Sequence, residues 1–187
     1  MQDTPEVAVL RLGHRPGRDE RMTTHVGLTA RALGADRVVL AGAAADRRES
    51  VAAVTERFGG PFDVTTTDDP EAFLAAWPGT VVHLTMYGLP LQDVETEIRS
   101  RWLADGEGPD SDTGTPLLAV VGAEKVAFEV YRVADRNVAV TNQPHSEVAS
   151  LAVFLDHLFE GRELGREFTD AERVVVPQAE GKRVEDA

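Results

Sequence analysis

Short, nearly continuous apolar runs alternate along this 187-residue chain with longer stretches of helical periodicity. Val7–Leu12, Arg37–Ala41, Phe62–Thr66, Thr80–Leu84, Pro116–Val121 and Asn137–Val140 read as strands. Most of these are apolar at successive positions, the pattern of strands buried on both faces; Phe62–Thr66 is the weakest. Between them the spacing predicts helices at Thr24–Leu33, Arg47–Phe58, Glu71–Trp77, Leu91–Trp102 and Ala127–Ala134, then a long one at Ser146–Glu160. Gly34 and the Gly59-Gly60 pair act as stop signals after the first two. The alternation predicts an α/β fold with a parallel sheet flanked by helices.

Two segments break the pattern. Ala104–Thr115 carries four acids and three glycines, with Ala104 its sole apolar residue, and reads as a solvated insertion before a core strand. From about Gly161 onward the chain is charged and irregular, although Phe168 and Val174–Val176 offer apolar docking points. The expected organisation is one domain over residues 1–161, with the acidic insertion at 104–115, and a charged tail over 162–187. No repeat or heptad pattern is visible.

Composition narrows the classes. About 42% of residues are apolar, enough for a core. No apolar run approaches the roughly 18 residues of a membrane helix. Met1–Glu6 has neither a basic nor an apolar signal region, so a cytoplasmic protein without membrane attachment is expected. The absence of cysteine excludes disulfides, thiolate metal sites and a cysteine nucleophile. The formal charge is −13, from 32 acidic and 19 basic residues, and of the basic ones only Lys125 and Lys182 are lysines. Such a surface suits molar salt, where the Debye length shrinks to about 3 Å and dense like charge costs little. GC-rich coding is the competing explanation. Residues 11–31 run against the bias: Arg11, Arg15, Arg18, Arg21 and Arg31 oppose only Asp19 and Glu20, a local +3 that attracts phosphate.

The usual signatures of phosphate-loop, dinucleotide-binding and α/β-hydrolase enzymes are missing. His14, His25, His83, His145 and His157 show no helical metal-ligand spacing, so no metal is expected. A site must then be built from loops leaving the C-terminal ends of parallel strands. Three stand out: Thr85–Pro90, Gly122–Val126 and Thr141–Ser146. Each combines pre-bent or flexible backbone with small polar side chains, which suits a flat polar ligand and equally suits ordinary turns with helix caps.

The phrases LRLGHRPGRDERMTTHVGLTARALGAD, VVHLTMYG, VVGAEKV and NVAVTNQPHSEVASLAVFLD resemble the archaeal tRNA cytidine-56 2′-O-methyltransferases of the SPOUT superfamily, over about Val7 to Gly161. Ala123 replaces a glycine of the family's second loop. The resemblance implies a SPOUT-type fold with a C-terminal trefoil knot, a homodimer, S-adenosylmethionine as cofactor and tRNA as substrate. It implies a cofactor cradle of Leu84, Met86, Tyr87 and Gly88; Gly122, Ala123, Glu124, Lys125 and Val126; and Val140, Thr141, Asn142, Gln143, Pro144, His145, Ser146 and Glu147. It also implies an arginine beside the ribose hydroxyl, for which Arg21 is the first choice and Arg18 the second. Arg31 is expected to be structural, and Arg99 and Arg101 are further candidates for RNA contact. The alternative is a non-catalytic RNA-binding or nucleotide-binding α/β module that retains the fold.

Overall fold

Six parallel strands form the centre of the molecule in a computed structural model that describes residues 4–103, 114–122 and 126–187. In chain order they are β1 (Val7–Leu12), β2 (Arg37–Ala41), β3 (Asp63–Thr67), β4 (Thr80–Pro90), β5 (Leu117–Gly122) and β6 (Arg136–Ala139), arranged 3-2-1-5-4-6 across the sheet. Six helices accompany them: α1 (Glu20–Ala32), α2 (Arg48–Phe58), α3 (Pro70–Ala75), α4 (Leu91–Leu103), α5 (Phe128–Val133) and α6 (Glu147–Phe159). The acidic insertion lies outside the described residues over 104–113.

The sheet separates two apolar layers. Val7 and Val9 of β1 face the layer formed with α1, α2, α4 and α6, while Ala8, Leu10 and Leu12 face the layer under α3 and α5. Every residue of β1 is buried, as is all of β5 except Gly122, because both strands are central and covered on both sides. β3 is the polar edge strand and buries Val64 alone, which explains its weak signal. Helix α4 follows Pro90 directly and turns Leu91, Val94, Ile98 and Trp102 inward at helical spacing. The Trp102 indole N–H donates to Pro5 O at 2.8 Å.

Two boundaries depart from expectation in ways that matter for the site. β4 continues six residues past Leu84 to Pro90, and both Leu84 and Leu89 pair with Val138 of β6. Residues 85–88 are therefore a bulge looped out of a continuing strand, not a strand-to-helix turn. Gly88 is required there, because a Cβ would overlap the backbone of Asn137 and Val138. Helix α1 starts at Glu20, earlier than Thr24, with Asp19 at its N-cap.

The C-terminal segment forms an antiparallel hairpin of β7 (Arg173–Val176) and β8 (Arg183–Asp186). Its approach is fixed at the end of α2, where Gly60 N donates to Thr169 O at 2.7 Å and the Arg31 guanidinium sits 4.6 Å over the Phe168 ring. Phe168 thus docks, whereas Val174 and Val175 stay exposed.

Candidate functional site

The C-terminal ends of β1, β4 and β5 open beneath the N-termini of α1 and α6, and a cavity of about 680 Å³ lies there. That volume is in the usual range of small-molecule sites. One wall comes from the arginine-rich segment: Arg15, Arg18, Asp19 and Met22. Leu84–Tyr87 and Gly122 with Val126 supply the second and third. Pro144–Glu147 and Ser150, entering α6, close the fourth side, and His83 and Tyr131 complete the lining.

Of the residues expected in the cradle, Leu84, Met86, Tyr87, Gly122, Val126, Pro144, His145, Ser146 and Glu147 line the cavity, and so does Arg18. Arg21, Gly88, Val140, Thr141, Asn142 and Gln143 do not. Arg21 is exposed on the first turn of α1. Asn142 instead works behind the wall: its Nδ2 donates to Met86 O at 2.7 Å and to Gly88 O at 3.1 Å, tying the third loop to the bulge of β4. Ala123, Glu124 and Lys125 lie outside the described residues. Arg31 is buried, donating from Nη2 to Gly59 O at 2.5 Å. Arg99 of α4 donates to the carbonyls of His157 and Leu158 and pairs with Glu160 at the C-terminal end of α6, and Arg101 pairs with Glu97 within α4.

Ser146 caps α6 in the ordinary way, its Oγ accepting from Ala149 N at 3.2 Å. Asp19 does not cap α1 with its side chain. Its carboxylate turns back to Arg15, accepting from the backbone N at 3.0 Å, from Nε at 2.8 Å and from Nη2 at 3.1 Å. The side-chain hydrogen bond from Arg15 leads the causes that hold the Asp19 carboxyl down at about 2. A polar cluster stiffens the opposite wall: Asn137 Nδ2 donates to Tyr131 O at 2.9 Å, His83 meets Asn137 Oδ1 at 2.9 Å, and the Tyr131 and Thr85 hydroxyls are 3.2 Å apart.

Sequence reasoning did not select Arg15, Asp19, His83, Tyr131 or Ser150 as site residues. Arg15 and Asp19 carried a signal in their i, i+4 spacing of opposite charges. Tyr131 and Ser150 carried none, since each sits on a helix whose inward face depends on the fold.

A cavity with an arginine and carboxylate wall on one side and Leu84, Val126 and Pro144 on another fits S-adenosylmethionine, which joins a flat base, a ribose and a charged amino acid. Comparison with known proteins agrees in kind. The family described as "tRNA ribose 2′-O-methyltransferase, aTrm56" matches residues 58–185, so the match includes the C-terminal hairpin. The tRNA (cytidine(56)-2′-O)-methyltransferase of Haloarcula marismortui is 64% identical over 186 residues, spanning 100% of this chain and 98% of the relative. The enzyme of the same name from Thermococcus kodakarensis is 50% identical, spanning 95% and 96%. Among solved structures, the SpoU methyltransferase AviRb of Streptomyces viridochromogenes in complex with AdoMet has a TM-score of 0.55 at 16% identity, covering 89% of this chain and 61% of its own. The A. aeolicus TrmH/SpoU tRNA modifying enzyme has a TM-score of 0.56 at 13% identity, covering 87% and 77%. These structures share the fold, and the sequence relatives share the family. This chain belongs to the tRNA ribose 2′-O-methyltransferase family, aTrm56.

Proposed function

We propose that the chain transfers a methyl group from S-adenosylmethionine to the ribose 2′-hydroxyl of cytidine 56 in the T-loop of tRNA, acting in the cytoplasm as a homodimer. The observation that carries this reading is the meeting, in one cavity, of the three strand-end loops and the arginine-rich segment before α1. Bound there, S-adenosylmethionine supplies an electrophilic methyl group on a sulfonium, which is already a good leaving group.

The chain's own residues must then orient the ribose and ease the loss of its proton. Leu84, Val126 and Pro144 offer apolar edges for the adenine. Glu147 and the backbone around Ser146 offer acceptors and donors for polar parts of the cofactor. Arg18 is our choice for the arginine beside the incoming hydroxyl; its exposed position in the cavity lining, which Arg21 lacks, supports that reading. A guanidinium there stabilises charge developing on the oxygen. Orientation within the walls contributes several kcal/mol more. On this reading the family's trefoil knot belongs to the stretch from β4 to α6. Exposed apolar side chains at Leu89 and Val153 support pairing with a second copy.

The test is labelling of a tRNA transcript by the purified chain in concentrated potassium chloride, with sedimentation of the same preparation. One methyl per tRNA is expected, absent when position 56 carries 2′-deoxycytidine, with sedimentation as a dimer. Arg18→Ala should lower kcat by about a hundredfold with S-adenosylhomocysteine affinity unchanged. A folded chain that binds S-adenosylhomocysteine yet labels no tRNA would overturn the catalytic reading in favour of a binding module.

A further inference from the structure

Arg11 is the one charged residue in a strand whose other five members are apolar, and it is fully buried. Strand alternation explains where it points. Val7 and Val9 face the layer of α1 and α6, so Arg11, two residues on, faces the same side at the strand's C-terminal end. There its Nη2 lies 3.0 Å from Glu147 Oε1, and its Nη1 donates to Leu12 O at 2.5 Å. Glu147 is the first residue of α6 and lines the cavity. Asp19, the N-cap of α1 and 6% exposed, lines the same cavity.

Two helices that pack on each other thus begin with a carboxylate at the same end of the sheet, Glu147 paired with the buried Arg11 and Asp19 with Arg15. The arrangement has a physical logic. A buried guanidinium without an anionic partner is costly, so loss of the Glu147 carboxylate is felt strongly. Each carboxylate also sits at a helix N-terminus, where the helix dipole favours negative charge. Glu147 belongs to the loop expected to hold the cofactor. Asp19 holds Arg15 through three hydrogen bonds and so shapes the segment that carries Arg18.

We propose that Arg11 is a positioning residue for methyl transfer: through Glu147 it ties the end of β1, from which the arginine-rich segment leaves, to the start of α6 and keeps that segment in register with the cofactor. Arg11 touches neither reactant. It acts by fixing the distance between the two walls. The activity readout of this inference rests on the function proposed above, whereas its structural readout does not.

The test compares Arg11→Met, Arg11→Lys, Glu147→Gln and the double variant Arg11→Met/Glu147→Gln. Because Arg11→Met strands the half-buried Glu147 carboxylate and can fail to fold, the double variant, which removes both charges, keeps the question answerable. In folded variants, kcat on tRNA should fall about ten- to a hundredfold for Arg11→Met and for the double variant. Affinity for S-adenosylhomocysteine should change by less than about threefold in folded Arg11→Met, because Arg11 does not line the cavity. Arg11→Lys should recover most of the rate, because the charge is kept. The double variant should be no slower than Arg11→Met, the non-additivity of residues acting as one unit. Independently of catalysis, amide hydrogen exchange should quicken in residues 15–23 and stay unchanged in β4. A double variant with wild-type kcat, multiplicative losses, or a rate loss accounted for by cofactor affinity would overturn the proposal. So would unchanged exchange in residues 15–23. If the wild-type chain itself labels no tRNA, the proposed function fails first; if it does and the variants keep its rate, only the role of Arg11 fails.

Discussion

His83 is buried on β4, and its partner's geometry fixes its tautomer. Asn137 Nδ2 donates to Tyr131 O, which leaves Asn137 Oδ1 to accept from His83 Nδ1. The imidazole edge also packs against Tyr131, with centroids 4.6 Å apart at 87°. Burial lowers its pKa below the ordinary 6.5, opposed in part by the Asn137 hydrogen bond. The sign follows directly: the unfolded chain takes up this proton at higher pH than the folded one, so the folded state loses stability as pH falls below about 6.5. The melting temperature of the wild-type chain should therefore fall between about pH 7.5 and 5.5 more steeply than that of His83→Gln. Equal slopes would remove His83 from the account. At this scale the sequence was partly legible. Arg11 counts in the sequence as one of the phosphate-attracting arginines, whereas it is fully buried beside Glu147, a partner far along the chain that nothing local names. Arg21 ranks ahead of Arg18 in the sequence, yet it is Arg18 that lines the cavity, while Arg21 is exposed on the first turn of α1.

At the scale of elements, continuous apolar runs located β1, β2 and β5 to within a residue or so, because strands covered on both faces leave no other pattern. The length of β4 was not legible. Thr85–Gly88 has the composition of a turn, and only pairing with β6 reveals that the strand resumes after it. The family resemblance implies Asn142 as a cofactor contact; its Nδ2 donates to the carbonyls of Met86 and Gly88. That assignment carries its own prediction. Asn142→Ala removes two exposed hydrogen bonds, together worth about 1–2 kcal/mol at most. Global stability should move little, while the bulge loosens and S-adenosylhomocysteine affinity drops about three- to tenfold, measured by calorimetry beside thermal melting. A large loss of melting temperature with intact affinity would show that the tie supports the fold alone.

For the molecule as a whole, a charge of −13 and many surface ion pairs respond to salt in opposite directions. Exposed pairs such as Arg101–Glu97 and Arg162–Glu160 contribute about 0–1 kcal/mol each and weaken when screened. Repulsion among excess carboxylates is a sum over the whole surface, so its relief should win. Raising potassium chloride from about 0.1 M to 1 M shortens the Debye length from about 10 Å to 3 Å and should raise the melting temperature. A melting temperature that falls over this range would assign the arginine-rich composition to coding bias rather than to salt adaptation. No helix among the described residues is long and apolar enough to cross a membrane.

The strand order has a consequence for the chain while it is being made. β1 is central, yet its two neighbours are synthesised far apart: β2 follows almost at once, whereas β5 begins at Leu117. Until β5 has left the ribosome, β1 presents an unpaired apolar edge, the kind of surface that templates association with other chains. The Arg11 pair waits longer still, because Glu147 arrives after β6. The nascent chain therefore carries an unpartnered guanidinium at the end of that open edge. The same side chain that later joins the two walls is, during synthesis, the charge that keeps the tip of β1 in water.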